Sequence, residues 1–135
     1  WGWSNGASMT LYALTHSSMF KAGAAVAPVT DWRNYDSIYT ERNNGLPSDK
    51  DTTSYTDLNL PKVADKLNGS LFLAHGTGDD NVHFQNSIQM VEGLIKARKQ
   101  FRFMVYPNKT HSIRGCDDRD HLFHMIEGHF EHELK

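Results

Sequence analysis

The sequence predicts an α/β protein in which a parallel sheet is covered by helices on both faces. Short apolar runs alternate with amphipathic segments in the order strand, helix, strand, polar excursion, strand, helix, strand, helix. Strands that alternate with helices indicate a parallel sheet. Such a sheet is buried on both sides, so its strands are continuously apolar rather than alternating, as the runs of this chain are.

The first stretch, residues 2–6, has the pattern Gly-x-Ser-x-Gly. This pattern is typical of a nucleophile elbow, a sharp turn from strand to helix that pushes the side chain of Ser4 out of the sheet edge. We expect Gly2 and Gly6 to flank the bend because neighbouring backbone passes too close for a Cβ atom. An ordinary turn bracketed by glycines has the same pattern, so the motif needs support from the rest of the chain.

The next two segments predict a helix and a strand. Residues 7–16 contain good helix formers in a largely apolar pattern. The N-terminus of this helix would place backbone N–H groups and the positive end of the helix dipole near Ser4. Residues 21–28 form a short apolar run that ends at Pro28, which is typical of a buried parallel strand.

An aromatic pattern follows in residues 29–46. Trp32, Tyr35 and Tyr39 recur at spacings of three and four, so a helix would place them on one face. This face could belong to the core, or it could line a substrate site, since loops after strands bind substrates in α/β enzymes. Residues 47–59 are polar and predict a loop or short-helix excursion. Residues 60–67 predict a short helix with Pro61 in its first turn.

The second half of the chain predicts two strands, each followed by a helix. Residues 70–75 and 101–106 are the apolar strands. Residues 86–99 predict a helix with Ile88, Val91 and Ile95 at helical spacing. Residues 117–135 predict a closing amphipathic helix. The apolar stripe predicted for this helix contains Phe123, Ile126, Phe130 and Leu134.

Composition and charge narrow the classes of partner. The 135 residues are the size of one domain, with 39% apolar and 22% charged residues as in globular proteins. The net charge of -2 gives no reason to expect a nucleic acid or an anionic membrane as partner. No apolar run approaches the roughly 20 residues of a membrane-spanning helix. Because Cys116 is the only cysteine, cysteine usage does not reveal the compartment.

Four histidines crowd the last predicted helix, in two pairs spaced by three residues. We expect a solvated polar face rather than a zinc site there, because no third ligand is evident beside either pair. No metal is therefore predicted. These histidines are His121, His124, His129 and His132.

Three side chains with the chemistry of a serine hydrolase follow predicted strands, where open α/β sheets build their sites. Ser4 ends the first strand, Asp79 follows the run 70–75, and His111 follows the run 101–106. The order Ser, Asp, His is that of α/β-hydrolases. The imidazole would take the serine proton, and the carboxylate would fix its tautomer and stabilise the imidazolium. The adjacent Asp80 is an alternative for the acid.

Four segments resemble a known family. They are residues 1–6 (WGWSNG), 25–32 (AVAPVTDW), 35–47 (YDSIYTERNNGLP) and 75–85 (HGTGDDNVHFQ). Through them the chain resembles the dipeptidyl peptidase IV branch of the prolyl oligopeptidase family of serine peptidases. The resemblance covers essentially the whole chain, and its second and third segments are far more specific than the elbow.

The resemblance implies the C-terminal portion of an α/β-hydrolase domain with Ser4 as nucleophile, Asp79 as acid and His111 as base. Asn81 would contact a substrate carbonyl, and the N–H of Asn5 would donate to the oxyanion. An apolar pocket would receive the residue before the scissile bond, which is proline or alanine in this family. The residues implied to line this pocket are Val29, Trp32, Tyr35, Tyr39 and Val82.

The implied activity is the release of N-terminal dipeptides after Pro or Ala through an acyl-enzyme, without a metal or organic cofactor. The family's β-propeller and the first part of its hydrolase domain are expected to lie outside this chain. We therefore expect the 135 residues alone to be inactive on Gly-Pro-p-nitroanilide, and the intact enzyme to be a homodimer. The resemblance leaves the compartment open.

Two alternatives to this activity remain open. One is another hydrolase on the same triad, namely an oligopeptidase, an acylaminoacyl-peptidase or an esterase. The other is a catalytically dead pseudopeptidase that acts as a binding protein. Departures from the family pattern motivate the second alternative: Asn5 stands where relatives usually have Tyr, and the loop around His111 reads Asn-Lys-Thr-His-Ser.

Overall fold

The computed structural model describes residues 1–47 and 53–135. Within these ranges a four-stranded sheet has the order β1 (Gly2–Trp3), β2 (Ala22–Val26), β3 (Ser70–Gly76), β4 (Arg102–Tyr106). All neighbouring strands are parallel, and one row across the sheet aligns Gly2, Ala25, Leu73 and Phe103. The predicted parallel sheet and its four strands are confirmed.

Helices connect the strands at the predicted places. They are α1 (Asn5–His16), α2 (Ser37–Asn44), α3 (Thr53–Thr56), α4 (Gln85–Lys96) and α5 (Cys116–Glu133), with 3₁₀ segments at Trp32–Asn34 and Leu60–Lys66. Of the predicted polar excursion at 47–59, residues 48–52 lie outside the described residues. In the two described ranges, no helix has both the length and the apolar character that crossing a bilayer requires.

Each face of the sheet carries its own apolar cluster. Leu71 and Leu73 of β3 pack with α1, α4 and the 3₁₀ segment Leu60–Lys66. Phe72 and Ala74, which alternate with them along the strand, pack with α5 on the opposite face. Helices therefore cover both faces, as the continuously apolar strands predict.

The helix α4 is present as predicted, but it buries a different face. Ile88 and Ile95 of the predicted stripe are 37% and 63% exposed, whereas Met90 and Leu94 are completely buried. Val91 is partly buried against the same cluster. The helix has two overlapping sets of apolar residues at helical spacing, and packing against the sheet selects the set that contains Met90 and Leu94.

The helix α5 also departs from its predicted stripe. Its buried residues are Leu122, Ile126 and His129. Phe123 and Leu134, which were expected in the core, are 45% and 57% exposed. His129, which was assigned to a solvated polar face, is fully buried, and this burial lowers the pKa of its imidazole. The other three histidines of the predicted polar face are exposed.

Candidate active site

Ser4 lies at the bend between β1 and α1 in a strained backbone conformation. Its φ of 58° and ψ of -122° fall in a region that residues with a Cβ atom rarely adopt. The bend is held on both sides, because the Ser4 N–H donates to the carbonyl of Val26 at 2.8 Å and the Ser4 carbonyl accepts from Ala7 at 2.9 Å. The Ser4 hydroxyl makes no capping hydrogen bond to α1, so the helix does not use it.

The two glycines of the elbow have different roles. A Cβ atom on Gly2 would lie 2.1 Å from the backbone carbon and oxygen of Gly6, which confirms the predicted reason for glycine at position 2. The same prediction is wrong for Gly6: apart from its chain neighbours and the adjacent backbone of α1, no atom of the described residues lies within 4 Å of a Cβ atom built there. The close approach is therefore made by the backbone of Gly6 towards the Cα of Gly2.

We expect Gly2→Ala to lower the free energy of unfolding by at least about 2 kcal/mol, because a new Cβ atom would overlap backbone that has no room to move. Gly6→Ala is the matched control. It should change stability by less than about 1 kcal/mol, since alanine suits the first turn of a helix. Unfolding midpoints of the intact protein measure both effects, and equal losses in the two variants would contradict the assignment.

Asp79 lies in the turn after β3 and has both carboxylate oxygens occupied. Oδ1 accepts hydrogen bonds from the backbone N–H groups of Asn81 at 3.0 Å and Val82 at 2.9 Å. Oδ2 accepts from Nδ1 of His111 at 2.8 Å. The side chain of Asp79 is completely buried, whereas the adjacent Asp80 is exposed. This geometry favours Asp79 over Asp80 as the partner of the imidazole.

His111 reaches the acid because the turns after β3 and β4 pass in close contact. A Cβ atom on Gly76, the last residue of β3, would lie 2.1 Å from the carbonyl oxygen of Lys109, so glycine is required for this approach. The indole N–H of Trp3 donates to the carbonyl of His111 at 2.9 Å. The His111 loop is thereby tied both to the turn that carries the acid and to the strand that leads into Ser4.

The surroundings of the pair determine the ionisation of Asp79 and the position of the hydrogen on the His111 ring. Burial by itself raises the pKa of Asp79, but hydrogen bonds from His111, His75 and the backbone of Asn81 outweigh it and hold the pKa well below its usual range. The carboxylate is therefore ionised at neutral pH. Because a carboxylate can only accept, His111 donates from Nδ1, and in the tautomer that carries its hydrogen there Nε2 is the acceptor that a general base needs.

Ser4 shares the sheet edge with this pair but is not hydrogen-bonded to it. Across residues 1–47 and 53–135, no hydrogen bond joins the hydroxyl of Ser4 to His111. In unliganded enzymes the bond between nucleophile and base is often long and shortens when substrate binds. The acid–base contact is thus formed in this structure, and the contact between base and nucleophile is not.

The pKa of Asp79 predicts a specific dependence of stability on acid. Because the folded-state pKa lies below the unfolded value of about 3.9, the stabilisation is complete above about pH 4 and is lost as pH falls further. We expect Asp79→Asn to reduce the difference in unfolding free energy between pH 6 and pH 3. Urea unfolding of the intact protein at both values measures it, with Asp80→Asn as control. If the difference in unfolding free energy between pH 6 and pH 3 is as large in Asp79→Asn as in the wild type, ionised Asp79 is not the source of this stabilisation.

The aromatic residues of the predicted pocket form a cluster, although they do not share one helix. Trp32 belongs to a 3₁₀ segment and Tyr39 to α2, with Tyr35 in extended backbone between them. Their ring centroids lie 5.9 Å (Trp32–Tyr35), 5.8 Å (Trp32–Tyr39) and 5.6 Å (Tyr35–Tyr39) apart. All three residues keep exposed surface, so the interpretation of this face as core is wrong.

Two openings flank the aromatic cluster. The larger, of about 830 Å³, is lined by His111, Asn81 and Tyr35 among others. The smaller, of about 210 Å³, is lined by Asn5 together with the rings of the other two aromatic residues. The hydroxyl of Tyr35 donates to Oδ1 of Asn81 at 2.6 Å, which joins the aromatic cluster to the turn that carries the acid.

The remaining predicted residues lie at the same edge but not all on its surface. Val29 and Val82 are 2% and 0% exposed and line neither opening, so their predicted place on the pocket surface is wrong. The backbone of Val82 organises the acid, because its N–H binds Asp79. Asn5 is the first residue of α1, and its N–H is one of those that a helix leaves without an intrahelical partner.

The start of α4 supplies residues that sequence reasoning missed. Asn86 is completely buried, and its side-chain oxygen accepts from the N–H of Thr30 at 3.1 Å while its amide donates to the carbonyl of His83 at 3.1 Å. It thereby links the aromatic segment to the turn that carries the acid. In the sequence, a polar residue at a helix start indicates an exposed cap, so only burial reveals this role.

The fold is similar to that of known peptidases. Residues 1–135 match the prolyl oligopeptidase family. The chain is 41% identical over 138 residues to dipeptidyl peptidase 4 of Bos taurus, covering 100% of this chain and 18% of that protein. Identity and coverage are the same for prolyl endopeptidase FAP of Mus musculus. The crystal structure of Porphyromonas gingivalis dipeptidyl peptidase 4 superposes with a TM-score of 0.89 and 43% identity, over 93% of this chain and 18% of that chain. The chain therefore spans less than a fifth of the length of these relatives.

Proposed function

The chain belongs to the prolyl oligopeptidase family, and on this premise we propose that it carries the catalytic residues of a serine peptidase that releases N-terminal dipeptides. The observation that carries the proposal is the partly buried contact of 2.8 Å between His111 and Asp79, at the same sheet edge as the strained Ser4. Identity of 41% to a protein named dipeptidyl peptidase 4 supports the class of reaction.

The proposed reaction has two steps. Ser4 attacks the scissile carbonyl carbon while His111 takes the hydroxyl proton and then donates it to the leaving amine, which forms the acyl-enzyme. Water then attacks the ester while His111 takes its proton, the bond to the Ser4 oxygen breaks as His111 returns the proton to that oxygen, and the dipeptide leaves as an acid. Asp79 keeps the ring in the tautomer that is protonated at Nδ1. The N–H of Asn5 stabilises the oxyanion in both steps.

The proposed specificity for proline or alanine rests on the aromatic cluster. Flat rings that keep exposed surface suit a rigid apolar ring that has no hydrogen bond to donate. Trp32, Tyr35 and Tyr39 supply these rings. The side-chain amide of Asn81 keeps its N–H groups for a substrate carbonyl, because its oxygen already accepts from Tyr35.

A pair of chromogenic substrates tests this function in the intact protein. We expect turnover of Gly-Pro-p-nitroanilide and none of its N-benzyloxycarbonyl derivative, since a dipeptidyl peptidase needs a free amino terminus. Turnover of the blocked substrate would instead favour an endopeptidase, the second candidate, which the 41% identity to prolyl endopeptidase FAP supports. Failure of both substrates together with no labelling by a fluorophosphonate would identify a pseudopeptidase.

A further inference from the structure

A second histidine, His75, lies against the carboxylate of Asp79 and is completely buried. Its Nε2 is 3.1 Å from Oδ2 of Asp79 and 2.9 Å from the carbonyl oxygen of Val82. Its Nδ1 is 2.7 Å from the hydroxyl of Ser87, a buried residue in the first turn of α4. The imidazole therefore connects the acid to a helix of the core.

The partners of His75 determine where its hydrogen lies. The carbonyl of Val82 and the ionised Asp79 can only accept, so Nε2 carries the hydrogen. In the tautomer whose only ring hydrogen is on Nε2, Nδ1 accepts from the hydroxyl of Ser87, and every contact of the ring is satisfied. Both imidazoles thus donate to the same oxygen of Asp79, from His111 at 2.8 Å and from His75 at 3.1 Å.

A buried carboxylate with this set of donors is held in one orientation. The two backbone N–H groups that bind Oδ1 belong to the same turn as Asp79. His75 adds a donor from β3, and that donor is itself held by α4, so the plane of the carboxylate is anchored to the core. Without His75, Oδ2 would keep only the hydrogen bond from His111. A buried carboxylate that loses a donor is destabilised, and its plane is then free to reorient.

We propose that His75, held by Ser87, is a positioning residue that orients the carboxylate of Asp79 towards His111. This role rests on the proposed function of the Asp79–His111 pair. Within the described part of the chain, the side chain of His75 has hydrogen bonds to Asp79, Val82 and Ser87 and a ring contact with Phe84. None of these four residues belongs to the aromatic cluster or lines the larger opening. The loss of His75 should therefore affect the chemical step and not substrate binding.

The test measures kcat and KM on Gly-Pro-p-nitroanilide with variants of the intact protein. We expect His75→Leu to lower kcat by about 10- to 100-fold, as is found for partners that orient a catalytic ligand, with KM unchanged within about twofold. His75→Gln places an amide N–H near the position of Nε2 and should recover most of kcat. A merely structural role would show neither the split between kcat and KM nor the rescue.

Two further variants separate positioning from burial. Ser87→Ala keeps both the imidazole and the carboxylate but removes the group that holds Nδ1, and it should lower kcat by about three- to tenfold. His129→Leu is the matched control, because His129 is equally buried but packs against Phe72 on the α5 face of the sheet. This control should leave kcat unchanged. A fall in kcat of His129→Leu as large as the fall in His75→Leu would overturn the proposal.

A spectroscopic readout keeps the test independent of turnover. The Nδ1 proton of His111 should give a low-field ¹H resonance, assigned by its absence in His111→Gln, that shifts or disappears in His75→Leu and shifts in Ser87→Ala. Unchanged kcat and an unchanged resonance in these variants would overturn the proposal. If the wild-type protein neither turns over substrate nor reacts with a fluorophosphonate, the proposed function fails. The resonance then still decides whether His75 orients the pair.

Discussion

Ser4→Ala lowers kcat on Gly-Pro-p-nitroanilide by at least about 10⁴-fold in the intact protein, because the hydroxyl oxygen forms the acyl-enzyme and no neighbouring group replaces it. The fold should be retained. Alanine keeps the Cβ atom and so bears the same backbone strain at a φ of 58°, and the lost hydroxyl does not cap α1. The thermal midpoint of the variant should therefore stay close to that of the wild type.

The measurement combines initial rates with labelling by a fluorophosphonate. Wild-type protein should be labelled, Ser4→Ala should not, and the exposed Ser18, near the other end of α1, provides a matched control as Ser18→Ala. Persistent labelling of Ser4→Ala would show that the reactive hydroxyl lies elsewhere. A large fall in thermal midpoint would mean that the loss of activity reflects unfolding and not the missing nucleophile.

Asp79→Asn should lower kcat by about 10⁴-fold, because an asparagine presents N–H groups where a carboxylate oxygen must accept from Nδ1 of His111. Each carboxylate oxygen of Asp79 faces two donors: Oδ1 accepts from the backbone of Asn81 and Val82, and Oδ2 accepts from His111 and His75. Whichever way the amide is turned, its nitrogen therefore meets another donor, and the tautomer of His111 is no longer enforced.

Asp80→Asn is the matched comparison and should change kcat by less than about threefold, since an exposed carboxylate beside the pair acts only through screened electrostatics. Both variants remove one negative charge from adjacent positions, so the contrast separates the hydrogen bonds of the acid from the effect of its charge. Steady-state rates at several pH values measure the difference. The reverse result, with Asp80→Asn inactive and Asp79→Asn active, would reassign the acid.

Much of this site was accessible from residue types and their order. The elbow pattern located Ser4, and the ends of two apolar runs located Asp79 and His111, because parallel strands bring their carboxyl ends to one edge of a sheet. The choice between Asp79 and Asp80 was accessible from the sequence only through the resemblance to a family. In the structure, the burial of Asp79 and its contact with His111 favour it, and its role as the triad acid remains a prediction.

The errors concern packing. The stripes chosen for α4 and α5 have the correct helical period, yet Ile95 and Phe123 are exposed while Leu94 and Leu122 are buried. In a helix with apolar residues on more than one face, the sequence offers several stripes of similar hydrophobicity. The neighbouring surface of the sheet determines which stripe is covered, and this surface is formed by residues far away in the chain.

Local patterns were sufficient to predict the four strands, most of the helices, Ser4 and His111, and they left Asp79 and Asp80 as alternatives for the acid, because apolar period, chain-breaking residues and a turn motif depend on near neighbours alone. Contacts between distant segments determined the packing and the hydrogen-bond partners of the site. The aromatic residues meet although a break separates their helices, and His75, held by Ser87, is hydrogen-bonded to Asp79. The physical reason is that burial and hydrogen-bond partners belong to pairs of residues, and no single position in the chain contains them.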